Sequence, residues 1–475
     1  MTHFKRLLAL LLLLLPGASS DAPLTGEALL ASLRALSSAV WVGPAVSAPH
    51  SAARPSWNYS LHAHQRRRAV AYDGSGAGLH QLVGKLRAHQ RVVVTAIGGS
   101  ITHGHAAGLS VAMDDPATGH VGSWSRVVFD YISERWPHPE GHIYVNGAVP
   151  GTGANYFSTC LRRHVHPVSD LVLLEFGVND AHFPHMEAII RRLKSFPDGG
   201  PAIMHVSFWN QWPHGCCYAT LGLKGAPYRP ELAPGSPEPA IALLAAYYDV
   251  PATSLRNAVL PDALHNVSGF LYEDFVCCGG NHPTPHGHKL MADMVIHQLE
   301  RAAHDVILHS APPTPGWPDW LPPPLVKGNE VEGRDAACRK GEELRDILVQ
   351  NRGWGFEEGE KAGWWGNSTG AILQLRLELS SGADGIMLFY LLSWRPDIGR
   401  VSITCLTGCA CAAVVVDGHG GEATVMAGQA FRLSKPAVGG EACVLALEVL
   451  SGRFKVMGLA AGSEIESFTF AWQTG

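Results

Sequence analysis

Four residues far apart in the chain, Ser100, Gly151, Asn179 and His282, are of the types that together perform nucleophilic chemistry. A serine attacks a carbonyl carbon only when a base takes its proton, and histidine is the usual base near neutral pH. The oxyanion that forms needs hydrogen-bond donors, and a glycine N–H can come close because no Cβ stands in the way. An asparagine carboxamide is a neutral donor that keeps its protons at any working pH. Acyl transfer is the reaction for which such a set is suited.

Ser100 lies within the stretch RVVVTAIGGSITHG, residues 91–104. The β-branched run from Val92 to Ile97 predicts a buried strand, and Gly98 and Gly99 break it so that Ser100 sits at a bend with its hydroxyl uncovered. A second strand, His142–Val145, runs into a Gly-rich loop through Gly151, and a third, Asp170–Phe176, ends at Gly177-Val178-Asn179-Asp180. Helices are expected around Leu79–Leu86, from Trp124 to Ile132, over Met186–Phe196, over Ile241–Tyr248 and after His282, with a further strand at Ala202–Phe208. This alternation implies a parallel sheet covered by helices on both faces, with the polar residues at the strands' C-terminal ends. Residues Trp209–Pro239 interrupt it as either the lining of a cleft or a surface loop.

Taken in order, the four segments resemble the blocks of the SGNH (GDSL-like) hydrolase family, named for its catalytic Ser, Gly, Asn and His. Gly98-Gly99-Ser100-Ile101-Thr102 matches the first block, and Val145-Asn146 with Gly151 the second. Gly177-Val178-Asn179-Asp180 matches the third, and His282-Pro283 with Gly287-His288 the last. The match spans about residues 91–299. It implies a flavodoxin-like three-layer α/β/α domain and ester hydrolysis without a metal or other cofactor. By position, Ser100 becomes the nucleophile and His282 the general base, then acid. The N–H groups of Ser100 and Gly151 and the Asn179 side chain become the oxyanion hole. Two positions depart from the pattern. Gly99 stands where the family usually has Asp, and Gly279 stands where the acid of the triad normally sits, three residues before the histidine. Glu273, Asp274 or a backbone carbonyl is left to orient His282.

Other histidines invite other readings. His282, His286 and His288 have spacing that can ligate a metal, although no acidic residue accompanies them, and His286 and His288 are expected on the surface at a helix start. His103 and His105 are expected as exposed loop residues beside the nucleophile, with a place in the cleft as the alternative, and Asn146 and Asn155 as braces of the second loop.

The whole chain has 475 residues, 46% of them hydrophobic and 16% charged, with a net charge of −5. That is enough for more than one core, and the one basic cluster, Arg66–Arg68, gives no nucleic-acid footprint. Residues 1–20 read as a signal peptide, with Lys5 and Arg6 before the leucine run Leu7–Leu15 and small residues to Ser20; a retained signal anchor is the alternative. No later stretch is apolar enough to span a membrane. Sequons at Asn58, Asn266 and Asn367 agree with passage through the secretory pathway or its lumen.

Residues 21–77 show little periodicity and are expected to be a loosely ordered lead-in to a hydrolase-like domain over 78–310. A Pro-rich stretch, 311–328, marks a linker, and from 329 to 475 the periodicity changes to two, as in Leu373, Leu375, Leu377 and Leu379. Several such strands predict a β-sandwich, which either binds carbohydrate or stabilises the enzyme. Of the ten cysteines, Cys160, Cys216, Cys217, Cys277 and Cys278 precede the linker and Cys338, Cys405, Cys409, Cys411 and Cys443 follow it. Odd numbers on both sides require one bridge between the domains or a free thiol in each. Bridges between the pairs Cys216-Cys217 and Cys277-Cys278 are one arrangement; Cys405, Cys409 and Cys411 suit disulfides better than a metal in an oxidising compartment. The reading that unites these features is a secreted serine esterase acting on acyl esters, with glycan O-acetyl groups permitted by family and compartment. A glycan acyltransferase with the same site and an inactive extracellular glycan-binding protein are the alternatives.

Overall fold

A computed structural model of the chain describes residues 57–107, 122–177, 183–209, 238–277, 282–309, 321–329, 337–359, 361–421, 424–435, 437 and 441–463. The first part runs α1 (Ala63–Ala69), β1 (Val70–Tyr72), α2 (Ala77–Arg87), β2 (Val93–Gly98), α3 (Ser100–His103), α4 (Trp124–Arg135), β3 (Ile143–Asn146), α5 (Ala154–Cys160) and β4 (Leu171–Glu175). It continues with α6 (Phe183–Lys194), β5 (Ala202–Ser207), α7 (Glu238–Tyr248), β6 (Ala252–Ser254), α8 (Leu255–Leu264), α9 (Tyr272–Phe275), β7 (Val276–Cys277), β8 (His282–Pro283) and α10 (Pro285–His309).

The main sheet has the order β1-β6-β5-β4-β2-β3. Its five strands β2 to β6 are parallel, and reading them by sequence rank gives 2-1-3-4-5, the flavodoxin-like order that the family resemblance implies. β2 and β4 lie at the point where the strand order reverses, and there helices leave to opposite faces and open a crevice at the strands' C-terminal ends. Every residue of β2, β4 and β5 is buried, as a sheet covered on both faces requires. One face packs Val92, Val94, Leu171, Leu173 and Met204 against α2, α4 and α10. The other packs Ile97, Val172, Leu174 and Ile203 against α5, α6 and α7.

Residues 57–77 are part of this fold, which corrects the expectation of a loose lead-in up to residue 77. β1 pairs antiparallel with β6, Val70 opposite Thr253. The fully buried Asp293 of α10 accepts from Trp57 Nε1 at 2.8 Å and from the N–H groups of Ser60 and Leu61 at 2.7 and 2.9 Å. Hydrogen bonds to one distant carboxylate and a short edge strand leave no periodic trace, so the sequence pattern is silent there.

The second part is a β-sandwich of antiparallel strands: β9 (Ala337–Lys340), β10 (Leu348–Arg352), β11 (Trp354–Glu357), β12 (Gly363–Gly366), β13 (Ile372–Leu379) and β14 (Gly385–Leu392) are followed by five more. These are β15 (Arg400–Thr407), β16 (Val414–Asp417), β17 (Val425–Arg432), β18 (Glu441–Ser451) and β19 (Phe454–Gly462). One sheet has the order β10-β13-β18-β15-β16; the other is β11-β12-β19-β14-β17, with β9 also on β19. The alternating leucines of β13 and the inward residues of β18 meet Ile386, Leu388 and Tyr390 of β14 between the sheets. The opposite face of β14, Met387, Phe389 and Leu391, joins Tyr156, Phe157 and Ile97 in a single core shared with the α/β part.

The described part of the linker, from residue 321 on, is pinned. Buried Glu187 of α6 accepts from the N–H groups of Leu325 and Val326 and from Asn329 Nδ2, while Arg191 donates to the Asn329 and Pro322 carbonyls. Cys160 of α5 is bonded to Cys338 of β9, the bridge between domains that the cysteine count allowed. Cys405–Cys411 and Cys409–Cys443 are also disulfides, so these sulfurs are engaged with one another rather than with a metal. Cys216, Cys217 and Cys278 lie outside the described residues, as does 210–237 of the interrupting segment. Among the described residues no helix is long and apolar enough to cross a membrane.

Candidate active site

β2 delivers the loop that carries Ser100. A side chain at Gly98 would run into the carbonyl of Glu175 on β4 and the hydroxyl of Thr102, so only glycine lets the strand end this close to its neighbour. Gly99 precedes the single turn α3, whose first residue is Ser100. The N–H of a helix's first residue has no intrahelical acceptor and is available to an incoming oxygen. Ser100 Oγ lies 2.8 Å from His282 Nε2. With the imidazole proton on Nδ1, Nε2 accepts the serine O–H and is placed to remove it. His282 opens β8, held opposite Cys277 of the short β7.

The second loop reaches the same end of the sheet. Val149 N–H donates to the Gly98 carbonyl at 2.9 Å, and Asn146 Nδ2 donates to the His103 carbonyl at 3.3 Å, so this loop is tied to the Ser100 turn. Val149-Pro150-Gly151-Thr152 closes with Thr152 N–H on the Val149 carbonyl at 3.3 Å. Proline second and a left-handed glycine third (φ +70° at Gly151) is the pattern of a type II turn. The Gly151 carbonyl accepts the N–H of Met426 at 3.1 Å. β17 is the edge strand of its sheet, and this outward N–H is one that an edge leaves open. Lys361 lies against Gly151 and donates through Nζ to the Thr424 carbonyl. The β-sandwich thus touches the loop that carries Gly151.

Asn179 and Gly279 lie outside the described residues; β4 brings the chain to Gly177, two residues short of Asn179. Neither proposed acid partner reaches His282. Asp274 turns its carboxylate back to cap α9, accepting the Leu271 N–H at 3.0 Å, and Glu273 faces solvent. A four-residue helix with unpaired N–H groups at its start is a nearby and geometrically easy partner for Asp274.

Glu175, which the sequence reading passed over, and histidines that it placed on the surface belong to this region. Glu175 ends β4 at 2% exposure, its Oε1 accepting the Gly177 N–H at 3.0 Å. Burial pushes its carboxyl up to about 8, with the Gly177 hydrogen bond opposing, so it is neutral at pH 7. The lone acid at the end of the apolar run DLVLLEF was its one sequence signal. His288 is completely buried rather than on the surface. Its Nδ1 accepts the Trp124 N–H at 3.3 Å and its Nε2 donates to the His105 carbonyl at 2.9 Å. The His105 ring packs against that of His282, with centroids 4.7 Å apart, and His103 is also buried. His286 Nε2 turns elsewhere, to the Gly269 carbonyl at 2.9 Å, so His282, His286 and His288 do not converge as a metal site.

No protein-family model matches the sequence, and no curated protein matches it. Solved structures do. A two-domain esterase active on acetylated mannans matches over 84% of this chain and 99% of its own, with a TM-score of 0.58 and 16% identity. The structure of such an esterase co-crystallised with mannopentaose matches over 85% of this chain and 99% of its own, with a TM-score of 0.57 and 16% identity. A GDSL-like lipase from Parabacteroides merdae matches over 45% of this chain and 95% of its own, with a TM-score of 0.33 and 13% identity. At these identities the likeness is one of fold. The chain shares with these two-domain esterases a flavodoxin-like α/β fold followed by a β-sandwich.

Proposed function

We propose that the protein is a serine ester hydrolase. The observation that carries this reading is the 2.8 Å contact between Ser100 Oγ and His282 Nε2 at the C-terminal end of the parallel sheet, beside its switch point. Ser100 Oγ attacks the ester carbonyl while its proton passes to His282 Nε2, giving a tetrahedral oxyanion. The N–H groups of Ser100 and Gly151 and the Asn179 carboxamide are its proposed donors. The imidazolium then protonates the departing alcohol oxygen as the acyl–oxygen bond breaks. Water repeats the sequence on the acyl-enzyme, with His282 taking its proton and returning it to Ser100.

The alcohol half of the substrate is proposed to be a sugar. The solved protein that shares both domains acts on acetylated mannans, and we extend that class, O-acetylated glycans, to this chain. A local feature supports the extension. Trp394, 59% exposed, follows Ser393, whose hydroxyl bonds that of Thr424 at 2.8 Å, two residues from Met426 on the Gly151 loop. An exposed indole suits the apolar face of a pyranose ring. Secretion is proposed on the leader-like residues 1–20, on exposed sequon asparagines at 58, 266 and 367, and on three disulfides, which reducing compartments disfavour.

Fluorophosphonate labelling, run beside hydrolysis of p-nitrophenyl acetate and acetylated mannan, tests the reading. The wild type should label and turn over, and Ser100→Ala and His282→Ala should each lower kcat by about 10⁴-fold or more. A folded wild type that neither labels nor hydrolyses either ester would overturn it.

A further inference from the structure

His105 and His288 take no part in the proton transfers above, yet both are built onto the residues that do. The His105 N–H donates to the Ser100 carbonyl at 3.0 Å, so the chain folds back on the nucleophile turn. The His105 ring then lies along the face of His282, with centroids 4.7 Å apart and planes inclined by 30°. Behind it, the His105 carbonyl accepts Nε2–H of His288 at 2.9 Å. His288 is fully buried at the start of α10, and its Nδ1 accepts the Trp124 N–H at 3.3 Å. Opposite roles at the two ring nitrogens fix one neutral tautomer and one ring plane. The next residue, Ala106, has φ +62°. An alanine enters the left-handed region only where its surroundings hold it there, and such strain collects at functional turns.

We infer that His105 is a positioning residue for His282, and that His288 is the buried anchor that sets His105; this rests on the serine–histidine reading of the site. The His282 edge meets Ser100 Oγ and its face meets His105. Rotation of the ring would therefore break one contact or collide with the other. What His105 supplies is a flat surface in a fixed place.

The test uses the full chain and four variants, His105→Ala, His105→Phe, His288→Gln and His288→Leu. Steady-state rates on p-nitrophenyl acetate are measured beside ring-nitrogen NMR of histidine-labelled protein, with His282→Gln identifying the His282 signals. His105→Ala should lower kcat about 10- to 100-fold with KM changed little, the loss expected of a base displaced by a fraction of an ångström to an ångström. It should also blur the single tautomer of His282. His105→Phe keeps a flat ring without titrating, and should restore kcat to within about threefold and the tautomer with it. His288→Gln keeps an N–H donor and should stay near wild type, whereas folded His288→Leu should behave like His105→Ala.

Wild-type kcat and unchanged His282 signals in His105→Ala would overturn the inference. So would a His105→Phe variant as slow as His105→Ala, since ring packing would then not be the cause. If the wild type hydrolyses no ester, the NMR arm still decides. A tautomer lost in His105→Ala and regained in His105→Phe keeps the positioning role while the hydrolase reading falls.

Discussion

The two faces of the parallel sheet are buried by different means. The face lined by Val94, Leu173 and Met204 is covered by the α/β part's own helices, α2, α4 and α10, with α1 and α8 beside them. The face lined by Ile97, Val172 and Leu174 has α5, α6 and α7, and their core runs on into Met387, Phe389, Met426 and Met457 of the sandwich. The disulfide Cys160–Cys338 and the Tyr156–Phe389 ring contact, 5.0 Å between centroids, lie on this second side. So does the Gly151–Met426 hydrogen bond. One face is covered within the α/β part alone. The other is half of a shared core, and a proposed catalytic loop is fastened to it. The sandwich is structurally continuous with the hydrolase part, whatever it binds.

The largest effect should come from removing the sandwich. A chain ending at residue 310 leaves the residues around Tyr156 and Phe157 uncovered, and it should aggregate or unfold without a cooperative transition. Size-exclusion chromatography and thermal melts would check this, and a monomer with a sharp melt would show that the two faces are equivalent after all.

A matched pair of core truncations sharpens the contrast. Phe389→Ala should cost about 3–5 kcal/mol, and Leu290→Ala of α10, buried on the first face, about 2–5 kcal/mol. Denaturant titrations would measure both. Only Phe389→Ala, which loosens Tyr156 three residues after Gly153, should also depress kcat under conditions where each variant is fully folded. Equal effects on kcat would remove the special status of the second face.

The faces should also differ in pH response, at a slope of about 1.4 kcal/mol per pH unit for each group within its window. Strand alternation puts Glu175 on the side of Leu171 and Leu173. Its carboxyl is held up to about 8 by burial, above the ordinary 4.5, so the unfolded chain ionises first and stability falls as pH rises between these values. His205, on the side of Ile203, is held down to about 4 and His164, beside Tyr156, to about 3, both chiefly by burial. For these the unfolded chain takes up a proton first as pH falls below about 6.5, and stability falls towards the folded values. Glu175→Gln should flatten the alkaline limb and His205→Gln part of the acid limb, as seen in melting temperature against pH.

Much of the hydrolase part was legible in the sequence because its strands are local. The runs through Val92–Ile97, Asp170–Phe176 and Ala202–Phe208 mark β2, β4 and β5 within a residue or two. The leucines of β13 announced a strand with one face buried. Signals for two-sided burial were also present: β14 reads GIMLFYLL without alternation, and every residue is buried, as is every residue of β19. A continuous apolar strand in an antiparallel sandwich marks a sheet covered on its outer face as well. Residues 57–62 left no such trace, since their attachment runs through Asp293, more than two hundred residues away.

By itself the sequence determined the residue types that can do chemistry, the strand ends that carry Ser100, Gly151 and Asn179, and the change from helical to alternating period near residue 329. These follow from short-range rules, in which glycine permits a bend and periodicity selects a helix or strand. Only the tertiary structure decided which groups meet. It put His282 on Ser100, turned Asp274 away to cap a helix, buried His288 as a strut behind His105, and fastened Gly151 to an edge strand of the other domain. Such pairings depend on which hydrogen-bond donors and acceptors remain once the chain has packed, and no local pattern records that outcome.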